Sequence, residues 1–333
     1  MKILVTGGCG YVGSHTVLVL LGAGHEVIIL DNLSNSSEHI IKDLIQISGK
    51  EIDFVRGDIR DKDCLDRIFL ENSIDAVMHF AGLKAVEESI NKPLDYYDVN
   101  VVGAIVLLQS MKDANINRLV FSSSATVYGE TASSPCSEKD ARGSSMNPYG
   151  ESKAIIERIL EDSYKANNDL KIIILRYFNP VGAESGGRIG ENPLGTPNNL
   201  MPLVVRVAAG IKKEITIFGS DYPTPDGSCR RDFIHVMDLA DGHLKAIEKI
   251  DILKYDIFNL GTGVPHSVLD LINTFEIINN VKVPYQIGKR REGDLADVYA
   301  NPKKANSILG WYALRNLEDM VKDSWRAFKK INL

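Results

Sequence analysis

The stretch KILVTGGCGYVGSH, residues 2–15, constrains the fold more than any other part of the chain. Lys2 to Thr6 carries the unbroken apolar run Ile3, Leu4, Val5 and ends at a turn, the pattern of a strand buried on both faces of a parallel sheet. Gly7, Gly10 and Gly13 then fall where a helix begins. Glycines let the backbone approach a phosphate closely, and the first N–H groups of the helix attract negative charge. A second apolar strand, Glu26 to Leu30, runs into Asp31, at the distance from the glycines where a ribose-binding carboxylate belongs. Strand, turn, helix, strand and acid together predict a doubly wound α/β fold that binds a dinucleotide.

The alternation continues downstream. Strands are predicted at 2–6, 26–30, 52–56, 76–80, 119–122 and 171–175 with helical patterns between them, which specifies a parallel Rossmann-type sheet. Polar residues collect at the strand ends, where a ligand crosses the carboxyl edge: Asp31 and Asn32, Asp58, then Phe80 to Lys84, then Ser122 to Ser124. Asp58 is read either as facing an adenine or as a solvated turn acid of GDIRD. Residues 179–199 are packed with Gly, Pro and Asn and read as a binding loop or the entry to a smaller lobe. The strand and helix pattern returns at 232–247 and 258–263, both predicted to rejoin the sheet. This divides the chain into a dinucleotide-binding domain, 1–179 with segments returning near 232–262, and a smaller mixed α/β substrate lobe, 180–333.

Composition narrows the function classes. Apolar runs are broken by Gly, Asp or Lys well short of the ~20 residues that a membrane span needs, and strand one leaves no room for a signal peptide. A net charge of −6 without a basic cluster argues against a nucleic-acid surface. Cys9, Cys64, Cys136 and Cys229 lie far apart with no CxxC or His-paired spacing, which points to free thiols in a reducing cytoplasm and to no metal site.

The chemistry concentrates in SSSATVYG, 122–129, and NPYGESK, 147–153. Tyr149 and Lys153 are four apart at the start of a helix introduced by Asn147 and Pro148, so both project from one face. A phenol with a pKa of about 10 is a poor base at neutral pH, and each unit of depression requires about 1.36 kcal/mol of preference for the phenolate. Lys153 and a nearby nicotinamide cation together can supply it, and Ser124 at a strand end can bond a substrate hydroxyl.

Through TGGCGYVGSH, DNLSNS, GDIRD, HFAGLKAVEES, SSSATVYG, NPYGESK, LRYFNPVGA, NNLMP, RRDFIHVMDLADGH, FNLGTG and RREGD, the chain resembles the extended short-chain dehydrogenase/reductase family over its whole length, and within it the nucleotide-sugar 4-epimerases. The resemblance implies a tightly held NAD that removes hydride from carbon 4 of a UDP-hexose and returns it to the opposite face through a transient 4-keto sugar, interconverting UDP-galactose and UDP-glucose. It implies that Tyr149 is the base, that Lys153 binds the nicotinamide ribose and lowers the phenol pKa, and that Ser124 positions the 4-hydroxyl. Cofactor contacts are implied for Gly7, Gly10, Tyr11, Val12, Gly13, Asp31, Asn32, Asp58, Ile59, Phe80, Ala81, Gly82, Lys84, Asn100, Ser122 and Phe178, besides Tyr149 and Lys153. Substrate contacts are implied for Lys84, Ser124, Tyr149, Asn179, Asn199, Leu200, Thr216, Phe218, Arg231, Arg291, Asp294 and Val298.

Arg230 and Arg231 are adjacent, and either can meet the diphosphate. Ala125 and Thr126 stand where relatives that dehydrate or decarboxylate carry acids, which limits the chemistry to hydride and proton exchange. At the position of Val298, counted from Gly293 of RREGD, the resemblance associates a large Tyr with restriction to plain UDP-hexoses and a small residue with N-acetyl sugars as well, so dual specificity is expected. Tyr299 is adjacent and would replace it if the strand slipped by one residue. A homodimer is expected through the helices after Pro93 and Pro148. The competing readings are a UDP-glucuronate 4-epimerase, an oxidoreductase that releases NADH, and an NAD-sensing scaffold.

Overall fold

Six short β-branched and leucine-rich runs, with a seventh returning later, build the main sheet. The strands in chain order are β1 (Lys2–Thr6), β2 (Glu26–Asp31), β3 (Asp53–Arg56), β4 (Ala76–His79), β5 (Arg118–Ser124), β6 (Lys171–Tyr177), β7 (Asn179–Val181), β8 (Ile215–Phe218), β9 (Arg230–His235), β10 (Tyr255–Leu260), β11 (Pro265–Ser267), β12 (Tyr285–Gly288) and β13 (Asp297–Val298). The computed structural model describes residues 1–131, 133–143, 147–195, 197, 199–291 and 294–333. Asn198 of NNLMP and Glu292 and Gly293 of RREGD, three positions of the quoted motifs, therefore lie outside the described residues.

The main sheet runs β10-β6-β5-β4-β1-β2-β3, with every pairing parallel. The chain winds outward from β1 in one direction through β2 and β3, then crosses back to β4 and winds the other way. The strand order thus reverses between β1 and β4, where a crevice opens beyond the strand ends in this architecture. Both faces are covered. Ile3, Val5 and Ile29 pack with Val17, Leu20 and Leu239 on one side, while Leu4, Ile28 and Phe121 pack with Leu65, Leu107 and Ile156 on the other. The central strands are buried on two faces, which is why they read as continuous apolar runs rather than as alternation.

The expectation for the later segments holds in part. β10 is the outermost strand of the main sheet, and helix Val236–Leu253 packs beside it in the first core. β9, expected to rejoin the same sheet, instead centres a small separate one, parallel to β7 and β13 and antiparallel to β11. Arg230 and Arg231 at its start are polar and Asp232 is a buried charge, a pattern that suits an edge near a ligand better than the middle of an apolar sheet. A third core joins helices Leu200–Ala208, Val268–Asn279 and Leu317–Asn332 through Val204, Leu271, Phe275 and Val321. No helix among the described residues is long and apolar enough to cross a membrane.

Candidate active site

At the end of β1 the glycine turn is required by packing. Gly7 has φ +72°, and a Cβ there would lie 2.6 Å from the backbone nitrogen of Ala81. A Cβ on Gly13 would meet the Gly7 carbonyl oxygen at 2.2 Å. Gly10 caps helix Tyr11–Gly22 in an extended conformation, with no side chain bonded to the cap and no acidic residue in the first turn. The positive end of this helix is thus left for an anion. It opens onto a cavity of about 1180 Å³.

Of the expected cofactor contacts, Gly7, Gly10 to Gly13, Asp31, Asn32, Ile59, Phe80 to Gly82, Lys84, Tyr149, Lys153 and Phe178 line this cavity; so do the expected substrate contacts Ser124, Asn179 and Asn199. The Asp31 carboxylate is fixed by the Cys9 N–H at 3.0 Å, the Leu33 N–H at 2.8 Å and the Ser36 hydroxyl at 3.0 Å. A buried carboxylate held this way is preorganised to accept a ribose hydroxyl and repels a further phosphate. Uncapped helix end, glycine cradle and acid at the end of β2 together fit NAD.

Three other expected contacts stand apart from the wall. Asp58 is not a lining residue: Arg60 grips both its oxygens at 2.8 Å, and these bonds hold the carboxyl well below the usual range. It sits one step behind Asn32, which donates to it at 3.1 Å. Asn100 is fully buried and clasps Leu83 through both backbone atoms, at 2.7 and 3.0 Å, so it shapes the 80–84 loop from behind. Ser122 is likewise buried behind the wall.

Asn147 caps helix Pro148–Ala166 by accepting the Gly150 N–H at 2.9 Å. Tyr149, Lys153 and Glu157 follow at four-residue spacing, all buried on the face turned to β5. The three serines of β5 meet them. The Ser122 carbonyl accepts from Lys153 Nζ at 2.9 Å, the Ser123 hydroxyl donates to Glu157 Oε1 at 2.6 Å, and Ser124 lines the cavity beside Tyr149. Glu157 is also held by Arg176 through two bonds of 2.9 and 2.6 Å.

Burial lowers the Lys153 ammonium pKa to about 8, with the Glu157 charge pulling the other way. Burial pushes the Tyr149 phenol up, opposed by Ser124. Tyr149 therefore becomes an effective base only when a ligand brings further positive charge beside it.

The remaining expected substrate residues lie outside the large cavity, around β8, β9 and the 291–298 segment. Thr216 and Phe218 are on β8, and Leu200 opens the helix that follows Asn199. The Arg291 guanidinium stacks 3.9 Å from the Phe218 ring centre. Arg231 donates to Asp294 at 3.0 Å and to the carbonyls of Arg230 and Leu295 at 2.8 Å. Arg230 is clamped by both oxygens of Asp297 at 2.6 and 2.8 Å. Val298 pairs beside Arg231 and packs with Ala125 against Phe178, Tyr128 and Ala300. It thus packs against Phe178 of the cavity wall.

Tyr177 and Glu191 are among the lining residues that escaped the sequence reading. Tyr177 follows Arg176, and period-two alternation along β6 sends the arginine to Glu157 and the tyrosine to the cavity. Glu191 accepts from Lys84 at 3.1 Å and from Asn199 at 2.6 Å. Its only signal was being the sole acid between Gly190 and Asn199.

The fold and site define a class. The chain belongs to the NAD dependent epimerase/dehydratase family, whose family model matches residues 3–261. Its relatives carry a particular name. It is 52% identical over 326 residues, 98% of this chain and 96% of the relative, to the UDP-glucose 4-epimerase of Neisseria meningitidis serogroup C. It superposes with a TM-score of 0.97 at 46% identity on the UDP-glucose-4-epimerase from Stenotrophomonas maltophila with bound NAD and formylated UDP-arabinopyranose, covering 99% of this chain and 98% of that one. The UDP-glucose 4-epimerase from Bifidobacterium longum in complex with NAD+ and UDP gives a TM-score of 0.95 at 46% identity, with the same coverage.

Proposed function

We propose that this chain is a UDP-glucose 4-epimerase that interconverts UDP-galactose and UDP-glucose while retaining NAD. The observation that carries the reading is the convergence of Ser124, Tyr149 and Lys153 on the wall of the cavity into which the glycine turn opens. When bound, NAD takes up a hydride from carbon 4, gives it back, and brings the positive charge of its nicotinamide into the site. Tyr149 takes the proton of the 4-hydroxyl as hydride leaves and returns it to the same oxygen afterwards, so no net oxidation occurs. Ser124, on the same cavity wall, aligns that hydroxyl. Lys153 holds the cofactor ribose and favours the phenolate.

The diphosphate is met by Arg231 and Arg291. Arg230 is the weaker candidate because both oxygens of Asp297 already occupy it. Anchoring at the UDP end leaves the keto sugar free to turn between hydride loss and return. Val298 lacks the ring that would close the space near the sugar 2-substituent, so the reading includes UDP-N-acetylglucosamine and UDP-N-acetylgalactosamine as substrates. The enzyme acts as a homodimer in the cytoplasm. Val86, Ile90, Leu94 and Val102 are exposed on the segment around Pro93, and a second copy would cover them.

The test is conversion of UDP-galactose by the purified protein with no added cofactor, followed by denaturation and identification of the released nucleotide. Sustained turnover with bound NAD supports the reading. Stoichiometric NADH release, or activity confined to UDP-glucuronate, refutes it.

A further inference from the structure

His243 lies fully buried on helix Val236–Leu253, behind the cavity wall, and takes no part in the chemistry described above. Its Nδ1 is 2.9 Å from the carbonyl oxygen of Leu239, which can only accept, so Nδ1 carries the hydrogen. Its Nε2 is 2.9 Å from the Ser122 hydroxyl and is left as the acceptor, so the serine donates to it. The imidazole also packs 4.8 Å from the Phe80 ring and 6.1 Å from the Tyr177 ring, centre to centre, and both rings line the cavity. A buried polar side chain with both nitrogens committed in one direction fixes whatever it touches.

We infer that His243 is a positioning residue: by taking the Ser122 hydroxyl hydrogen it restrains Ser122, whose carbonyl holds Lys153, and it backs the Phe80 and Tyr177 wall. Burial keeps the ring neutral, with its pKa lowered to about 4, so the acceptor persists at working pH. This inference rests on the proposed epimerase function. The ladder pairing of Ser122 with Leu175 sets the strand at this point, and the hydroxyl bond to His243 adds a restraint from the face of the sheet. Without that restraint the ammonium can shift, and small displacements of a catalytic group are costly.

The test compares His243→Phe, which keeps bulk but removes the acceptor, with His243→Gln, whose amide oxygen can take the place of Nε2. In the holoenzyme His243→Phe should lower kcat for UDP-galactose roughly 10- to 100-fold with KM little changed, and His243→Gln should recover most of it. Ser122→Ala should give a similar loss, and the double variant with His243→Phe should be no worse than the poorer single one, since both remove the same hydrogen bond. A wild-type kcat in His243→Phe, a loss that falls in KM, or additive losses would overturn the inference.

Because His243→Phe can fail to fold, the unaltered holoenzyme provides a second measurement, the 15N spectrum of its histidine side chains at neutral pH. A His243 ring protonated at Nδ1 alone supports the assignment, whereas hydrogen on Nε2 overturns it. Failure of the unaltered chain to epimerise would refute the proposed function, and the tautomer would still judge the histidine assignment.

Discussion

Lowering the pH from about 6.5 to about 5.5 should destabilise the folded chain through three buried histidines. Burial lowers the ring pKa of His15 and His243 from 6.5 to about 4 and that of His79 to about 3. In this window the unfolded chain binds the protons and the folded chain refuses them, so stability falls as the pH falls. Between those two pH values each histidine contributes about 1 kcal/mol of loss, about 3 kcal/mol for the three together. Buried Asp232 and part-exposed Asp241, whose carboxyl pKa values desolvation raises, act in the opposite sense. A variant comparison removes them from the result. His243→Gln cannot titrate and keeps a hydrogen-bonding amide, so its loss over the same step should be smaller than the wild type's by about 1 kcal/mol. Urea midpoints for both proteins at the two pH values, with saturating NAD throughout, give that difference. Identical pH dependence in wild type and variant would falsify the claim that this ring is held neutral.

Tyr149→Phe should keep the fold and its bound NAD but lose roughly 10²-fold or more in kcat, the usual scale for a positioned acid or base; near-normal turnover would remove Tyr149 from the mechanism. Asp31→Ala should narrow the preference for NAD over NADP, and a cofactor exchange titration in which the unaltered protein binds both equally would contradict the ribose assignment. Val298→Tyr should suppress turnover of UDP-N-acetylglucosamine far more than that of UDP-glucose, because an aromatic ring overfills a packed wall; unchanged rates on both sugars would show that this residue does not border the 2-substituent. Sedimentation at micromolar concentration should give a dimer, and a monomer there would leave Val86, Ile90 and Leu94 without the proposed cover.

The sheet was legible because its strands advertise themselves. Runs such as Ile3–Val5 and Ile172–Leu175 are buried on both faces, and nothing but a central parallel strand tolerates that density of branched apolar side chains at such short length. The glycine turn and the Tyr149, Lys153 spacing were legible because backbone geometry and helical period are local. β9 was misplaced because periodicity shows that a strand exists and says nothing of its neighbours. What directs it to the small sheet is Asp232, whose carboxylate accepts from Thr262 N–H and hydroxyl, Gly263 N–H and Ala300 N–H, contacts that span a long separation in sequence. Asn100 shows a related limit: its residue type promises a polar contact, and the sequence does not show that it holds the backbone of Leu83.

The same distinction explains how the site can be both stable and reactive. A tyrosine and a lysine buried side by side are each penalised in the charged form, and the folded chain compensates only one of them, through Glu157 on the next helical turn. Glu157 is in turn neutralised by Arg176, so the column of charge below Lys153 is closed and adds little net field at the phenol. Tyr149 therefore remains protonated in the absence of a ligand, and Lys153 makes it acidic only together with the positive group the protein does not supply. Coupling the base to the oxidised cofactor in this way makes proton abstraction from the sugar possible only when a hydride acceptor is in place, which is the condition a reaction with no net oxidation needs.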